Sequence, residues 1–111
     1  MLAVMSTLTR YAEHRPYAVP ERLEALAGPV DGTVTLPSHL DWSGARRTYH
    51  LDEPAERNLL YERVIREALT VDDLARYLDA GVLVRVWSEL YLPARVREAW
   101  ERRFPALAAA A

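Results

Sequence analysis

Apolar residues recur at helical spacing through the second half of the chain. In one stretch they follow the i, i+3, i+4 pattern of a helix that buries one face: Leu60, Tyr61, Val64, Ile65 and Ala68. Asp52 is a suitable N-cap for this helix, and Pro54 lies close behind it, where proline is tolerated. The pattern therefore predicts a helix over residues 54–69.

A second helix is predicted directly after the first. Thr70 is followed three residues later by Asp73, which is the acidic form of a capping box. Leu74 and Tyr77 continue the helical period, and Gly81 is a suitable end. Because the connection between these two helices is nearly a single residue, we expect a sharp corner.

Two further helices are predicted beyond that corner. Residues 82–87 are rich in Val, which also suits a strand. Their apolar positions continue at helical spacing to Leu90, however, and we interpret them as a helix. A last helix is predicted to begin at Pro93 and to end at Pro105.

The first third of the chain carries weaker signals. Residues 20–28 begin with Pro and end with Gly, which predicts a short helix. Residues 33–36 and 47–51 have strand character, and we expect them to pair as a small antiparallel ribbon that packs on the helices or on a partner's sheet. Residues 1–19 show no sustained period, which indicates a flexible segment.

These elements predict a mainly α protein. A flexible N-terminal segment (1–19) and a short helix with a small β-ribbon (20–51) precede a C-terminal bundle of about four short helices (52–105), and the tail (106–111) is expected to fray. The predicted core of the bundle consists of large apolar side chains: Leu60, Val64, Leu74, Leu78, Leu83, Val86, Trp87, Leu90, Val96, Trp100 and Phe104.

Composition excludes several classes of protein. The 111 residues contain 14 basic and 16 acidic side chains, a net charge of -2, and no Cys. Disulfide-stapled domains, zinc ribbons and thiol enzymes all need cysteines, and a nucleic-acid binder driven by bulk charge would be basic. Every basic residue is Arg, which we attribute mainly to GC-rich codons. With neither a charged leader nor a long apolar run, the chain is expected to be cytoplasmic.

The candidate chemistry is sparse. His14, His39 and His50 are dispersed and do not form a known metal-binding pattern. The acidic clusters at residues 52–56 and 72–73 lie in the first turns of predicted helices, where the helix dipole accounts for them. Glycine-rich loops, Ser elbows and Cys–His pairs are all missing from the sequence. We therefore expect no catalytic site, metal, cofactor or small-molecule ligand, and no membrane partner.

A degenerate helix-turn-helix over residues 71–90 is one alternative. Its first helix is followed by a turn glycine, as in such motifs. Its second helix offers Arg85 as the lone strong donor to base edges. The preceding region, residues 52–79, carries four Arg against eight acids, which opposes contact with phosphates. A small DNA-binding regulator therefore stays open but is not favoured.

The last predicted helix has the opposite charge balance. Residues 93–104 contain four Arg against two Glu, and three aromatic residues crowd this part of the chain: Trp87, Tyr91 and Trp100. Trp, Tyr and Arg dominate the energetics of protein interfaces. A domain of this size is not expected to bury all three aromatics by itself. The ordinary interpretation of this charge pattern is a solvated face, and its alternative is an anchor surface for a partner protein.

Two motifs at this point resemble a known group of small actinobacterial proteins. Residues 61–67 read Tyr-Glu-Arg-Val-Ile-Arg-Glu, which is similar to a Tyr-Glu-x-Val-x-Arg-Glu helix in that group. Residues 87–100 match a Trp-x-x-Leu-x-Leu-Pro-x-x-Val-Arg-x-Ala-Trp signature, and residues 36–42 look typical of longer members. The similarity covers about residues 20–105. Such proteins look like the antitoxin partners of abortive-infection-type nucleotidyltransferase toxins.

The resemblance implies a non-catalytic protein that binds and neutralises a cognate nucleotidyltransferase toxin. Its aromatic side chains would anchor the complex, and its Arg side chains would pair with toxin carboxylates. The predicted contact residues are aromatic or basic: Trp87, Tyr91, Arg95, Trp100 and Arg103, with Tyr61 and Arg66 as weaker candidates. A DNA-binding regulator and an interaction module of an unrelated pathway stay open beside it.

Overall fold

A computed structural model describes residues 17–41 and 48–109. Over these residues it is mainly helical with a small two-stranded sheet, which confirms the predicted fold class. Strands β1 (Thr33–Thr35) and β2 (Thr48–His50) precede the helices. The α-helices are α1 (Pro54–Glu67), α2 (Val71–Tyr77), α3 (Ala80–Val86), α4 (Ala94–Arg103) and α5 (Pro105–Ala109), with 3-10 turns at Leu23–Ala25 and Trp87–Glu89.

The β-ribbon forms where the sequence predicts it. The strands are antiparallel, with Val34 opposite Tyr49, and both of these side chains are buried. On the solvent face the hydroxyls of Thr35 and Thr48 lie 3.2 Å apart, within hydrogen-bond distance. This alternation leaves one face polar and turns the other toward the helices.

A buried polar group ties the ribbon to α1. Asp41 is only 8% exposed. One of its carboxylate oxygens accepts a hydrogen bond from the Tyr49 hydroxyl at 3.1 Å, and the other lies 3.3 Å from the Arg63 guanidinium. A buried carboxylate is costly unless it is paired in this way, so the contact fixes the position of the ribbon on the helix.

The corner between α1 and α2 follows its capping signals. The Thr70 hydroxyl accepts a hydrogen bond from the Asp73 amide at 3.3 Å, which confirms the predicted N-cap. The predicted end of α2 near Gly81 is wrong, because the Asp79 carboxylate accepts from the Val82 amide at 3.0 Å and starts α3 instead. Residues 79–81 thus open the third helix rather than close the second.

The predicted helix over residues 20–28 is reduced to the 3-10 turn Leu23–Ala25. The amides that a helix would use pair with the end of α2 instead: Ala27 N–H donates to Ala75 O at 3.0 Å, and Gly28 N–H donates to Leu78 O at 2.8 Å. A Cβ at Gly28 would lie 2.5 Å from the carbonyl carbon of Tyr77. Only glycine permits this approach.

The predicted fraying of the C-terminal tail is wrong over Pro105–Ala109. Pro105 starts α5 rather than merely ending α4, since proline suits a first helical position. Leu107 is fully buried, and α5 packs on the Trp87–Glu89 turn. At the other end, residues 17–19 pack partly buried against the core. The rest of the predicted flexible segment and residues 110–111 lie outside the described residues.

One core joins the ribbon, the turns and the helices. It includes every residue of the predicted bundle core, together with side chains from the ribbon and from α5: Leu26, Val34, Leu36, Leu40, Tyr49, Leu51 and Leu107. Trp100 lies at its centre, with ring centroids 5.9 Å from Trp87 and 6.1 Å from Phe104. In the part of the chain that the structure describes, none of the helices is long and apolar enough to cross a membrane.

Candidate partner-binding surface

Three of the predicted contact residues lie inside the core. Trp87 and Trp100 are fully buried, and Tyr61 is only 1% exposed. None of these side chains is available to a partner in this conformation, so their assignment as anchors is corrected. Trp87 and Trp100 are covered because α5 packs on α4 and on the Trp87–Glu89 turn, whereas Tyr91 stays exposed, so the domain leaves one of the three aromatics unburied, as expected.

Trp87 is held by two charged residues of α4. Its Nε1–H donates to Glu101 Oε2 at 2.8 Å, and the Arg97 guanidinium lies 5.1 Å from the ring centroid. Arg97 also lies 3.8 Å from Glu101 and donates to the backbone oxygens of Trp87 and Leu90. These contacts lock the Trp87–Glu89 turn against α4. Sequence reasoning missed both residues, and their four-residue spacing was the only available signal.

Tyr61 has a structural role at the corner between α2 and α3. Its hydroxyl oxygen accepts a hydrogen bond from the Asp79 amide at 3.0 Å. Burial raises the pKa of the Tyr61 hydroxyl above its ordinary value of 10.0. The phenol therefore stays neutral at physiological pH and serves as a hydrogen-bond partner for the backbone.

Among the described residues, Tyr91 is the aromatic side chain most exposed to solvent. Its side chain is 81% exposed, although Leu90 beside it is buried. Its amide donates to Glu62 Oε2 on α1 at 2.9 Å. One turn earlier on α1, Asn58 donates to Glu89 Oε1 at 3.1 Å. The Tyr91 amide is thus fastened to α1 directly, and a side-chain hydrogen bond two residues earlier adds a second link, while the Tyr91 ring stays exposed.

Two of the predicted Arg residues belong to the same area. Arg66 lies one helical turn beyond Glu62 on α1 and is half-buried. Arg95 is exposed in the first turn of α4, four residues after Tyr91, a span of at most about 14 Å along the chain. We call the group of Tyr91, Glu62, Arg66 and Arg95 the Tyr91 surface.

Arg103 does not belong to the Tyr91 surface. It lies eight residues after Arg95 on α4, which corresponds to about 12 Å along the helix axis. There it lines two neighbouring clefts of about 340 and 370 Å³ near the N-terminal segment. The structure therefore separates the predicted contact residues into a core group, the Tyr91 surface and a distant arginine.

The described histidines serve as surface links between elements. His39 Nε2 lies 2.9 Å from Asp73 Oδ1, and His50 Nδ1 lies 2.9 Å from Glu56 Oε1. The hydrogen bond and negative charge of Glu56 raise the pKa of His50 above 6.5. Burial opposes ionisation of Asp73, but its hydrogen bonds with His39 and Leu69 outweigh this and lower its pKa. Over the described ranges no group of three metal-ligating side chains comes together.

The alternative DNA-reading helix, α3, offers little to a base edge. Val82, Leu83 and Val86 are buried in the core. Arg85 is exposed, and it is the one residue of α3 whose side chain can form hydrogen bonds. Specific readout in the major groove normally uses several such side chains from one helix. The geometry of residues 71–90 therefore does not favour DNA recognition.

The similarity in residues 61–67 and 87–100 was drawn from the sequence alone. The structure gives these motifs physical roles, because Tyr61, Trp87 and Trp100 build the core while Glu62 and the turn after Trp87 position Tyr91. Their relation to antitoxin-like proteins stays a prediction. No protein-family model, curated protein or solved structure matches the chain.

Proposed function

We propose that this chain is a non-catalytic, antitoxin-like protein of the cytoplasm that binds and neutralises a cognate nucleotidyltransferase toxin through the Tyr91 surface. The observation that carries the proposal is the 81% exposure of Tyr91 on a backbone fastened to α1. An exposed tyrosine normally marks a contact, because its large ring costs little entropy to immobilise.

Preorganisation makes Tyr91 suitable as an anchor. The bonds from Asn58 to Glu89 and from Tyr91 to Glu62 hold the segment before any partner arrives. Arg97 adds a third point of attachment through the Leu90 carbonyl. Little backbone ordering is then left to oppose binding, so more of the contact energy appears as affinity.

The charges around Tyr91 suit an acidic surface on the partner. Arg95 is exposed, and among the described residues Arg66 forms no ion pair with Glu62, whose carboxylate binds the Tyr91 amide instead. Guanidinium groups form bidentate contacts with carboxylates. In a nucleotidyltransferase toxin the catalytic acids are natural targets for such groups, and covering them would block the enzyme.

Co-expression with the product of the adjacent gene tests the proposal. We expect the wild-type chain to co-purify with that protein and to rescue growth. Tyr91→Ala should weaken binding by a factor of about 30 or more, as for a central interface residue. Leu69→Ala is the matched control, because Leu69 is also strongly exposed, at 70%, but lies outside the Tyr91 surface.

Two results would overturn the proposal. One is the failure of the wild-type chain both to bind the adjacent product and to rescue growth. The other is salt-dependent binding of the isolated chain to its own promoter fragment that Arg85→Ala abolishes, because this would indicate a DNA-binding regulator. Equal effects of Tyr91→Ala and Leu69→Ala would reject the Tyr91 surface.

A further inference from the structure

Two adjoining clefts at the C-terminal end of α4 share Arg103. One, of about 340 Å³, lies between residues 21–24 and the start of α5, and includes Leu23 and Phe104 in its walls. The other, of about 370 Å³, is lined by Val19, Ala99, Arg102 and Arg103. Because Arg103 lines both, we treat them as one depression and call it the double-arginine groove.

The two arginines of the groove lack partners in the described parts of the chain. No hydrogen bond or ion pair with the guanidinium of Arg102 or Arg103 is found over residues 17–41 and 48–109. Other Arg residues are engaged, such as Arg22 with Glu24 at 3.3 Å and Arg76 with Asp72 at 3.0 Å. The groove therefore holds two neighbouring cations whose donors are available to a ligand.

The rest of the groove combines apolar side chains with three further charged residues, Glu21, Arg22 and Glu24, of which Arg22 and Glu24 pair with each other at 3.3 Å. Val19 and Leu23 are half-buried, and Phe104 keeps 9% of its surface exposed. The dipole of α4 favours cations at its C-terminus, which accounts for the sign of the charge. It does not account for apolar walls beside the cations. A ligand that fits both features carries carboxylates next to aliphatic or aromatic groups.

The rim argues against a nucleic acid as the occupant. Glu21 and Glu24 line the same cleft as Arg103, and both are exposed. These carboxylates repel any anion on that side of the cleft, and a phosphate backbone, which is charged at every nucleotide, cannot keep its charges away from them. A peptide can place its carboxylates on the arginines and its apolar groups elsewhere.

We infer that the double-arginine groove binds an extended acidic segment of the partner protein. Carboxylates of that segment pair with Arg102 and Arg103, and an apolar side chain packs on Leu23 and Phe104. This inference rests on the proposed function and adds a second contact to it, about 12 Å along α4 from Arg95. A partner held at both ends of α4 dissociates more slowly than one held at either end alone.

The direct test uses a fluorescent peptide of alternating Glu and Leu with the full chain. We expect the wild-type protein to bind it, and Arg102→Glu/Arg103→Glu to bind about tenfold or more weakly. Arg85→Glu is the matched control, because Arg85 is also exposed and forms no ion pair within the described residues, but lies on α3. Circular dichroism confirms that each variant is folded.

Three outcomes would overturn the inference. They are equal binding of the Glu–Leu peptide by the double variant, equal binding of a Gln–Leu peptide by the wild type, and tighter binding of a single-stranded oligonucleotide. Concentration-dependent self-association that the double variant abolishes would also overturn it, since the occupant would then be a second copy of the chain.

Capture of the adjacent gene product separates this inference from the proposed function. If the wild type captures that protein and only Tyr91→Ala weakens capture, the groove inference is wrong and the proposed function stands. If capture fails but binding of the Glu–Leu peptide requires Arg102 and Arg103, the proposed function is wrong. The inference that the groove binds acidic segments then stands. We expect both variants to weaken capture.

Discussion

Trp87 and Tyr91 lie four residues apart in the same segment, yet Trp87 is fully buried and Tyr91 is 81% exposed. Arg97 and Glu101 hold Trp87 against α4, and Trp100 packs beside it. Tyr91 comes just after Leu90, which ends the buried run. The difference teaches that aromatic content alone does not identify an interface. An aromatic side chain can serve in an interface only where segments distant in the sequence leave it exposed.

The largest expected difference is between truncation of a buried aromatic residue, Trp100, and truncation of the exposed Tyr91. Trp100→Ala should lower the free energy of unfolding by about 3–5 kcal/mol, because it removes the centre of the aromatic cluster. Tyr91→Ala should change it by less than about 0.5 kcal/mol. Urea denaturation measures both values. Similar losses would mean that Tyr91 is part of the core.

The same experiment can be refined with Trp100→Phe. The Nε1–H of Trp100 is buried and has no hydrogen-bond partner within the described residues. Phe retains most of the apolar contact and removes the unpaired donor, which offsets part of the lost volume. We expect its cost to be well below that of Trp100→Ala. An equal cost would indicate that the indole nitrogen has a partner.

Two glycines allow a comparison of a crowded backbone position with an open one. Gly28→Ala should destabilise the protein by about 2–3 kcal/mol, because the added Cβ meets the backbone of Tyr77 at 2.5 Å. Gly32→Ala should cost about 1–2 kcal/mol, since Gly32 has φ +81° but open space around it. Thermal unfolding ranks the two variants. The reverse order would mean that the N-terminal segment does not dock on α2.

Glu101 holds Trp87, whose turn leads to Tyr91, so a substitution at Glu101 tests whether the core positions the Tyr91 surface. Glu101→Ala removes the acceptor of the buried Trp87 Nε1–H and should cost about 1–3 kcal/mol. Glu98→Ala, on the exposed side of the same helix, should be within about 0.5 kcal/mol of the wild type. If the turn positions Tyr91, Glu101→Ala also weakens partner binding, whereas Glu98→Ala does not. Binding that is unaffected would separate Trp87 from the Tyr91 surface.

The smallest expected effect is a pH dependence at the junction of β2 and α1. The pKa of His50 is raised above 6.5 by its bond to Glu56, so the folded state holds the proton more tightly than the unfolded chain. This contribution is present below pH 6.5 and is lost as pH rises through the higher folded pKa. His50→Gln should reduce the change in melting temperature between pH 6 and pH 8. A wild-type profile that is already flat would contradict it.

Local signals in the sequence predict most of the fold. The Thr70 cap, the period of α1 and the strand pairing all depend on neighbours within a few residues or on alternation. The predictions that were wrong depend on contacts between residues far apart in the sequence. Residues 20–28 lose their helix because their amides bond to α2, and Leu107 docks on a turn far away in sequence.

The candidate site likewise has one part that the sequence predicts and one part that it does not. Tyr91, Arg66 and Arg95 could be named from residue type, and their spacing from Glu62 and from one another along the chain groups them in the Tyr91 surface. That Glu62 and Asn58 would hold the Tyr91 backbone could not be predicted, because those bonds cross about 30 residues of chain. The burial of Trp87 and Trp100 was not predicted, because it depends on α5, which packs on α4 and on the Trp87–Glu89 turn.

The corner at residues 78–79 joins four separate parts of the chain. Leu78 accepts the Gly28 amide, and Asp79 bridges to Ala27, binds the Tyr61 hydroxyl through its own amide and caps α3. The N-terminal segment therefore has no docking place until both helices at the corner exist. In hydrogen exchange the amides of Ala27 and Gly28 would report the opening of this junction, and so the order in which the protein assembles.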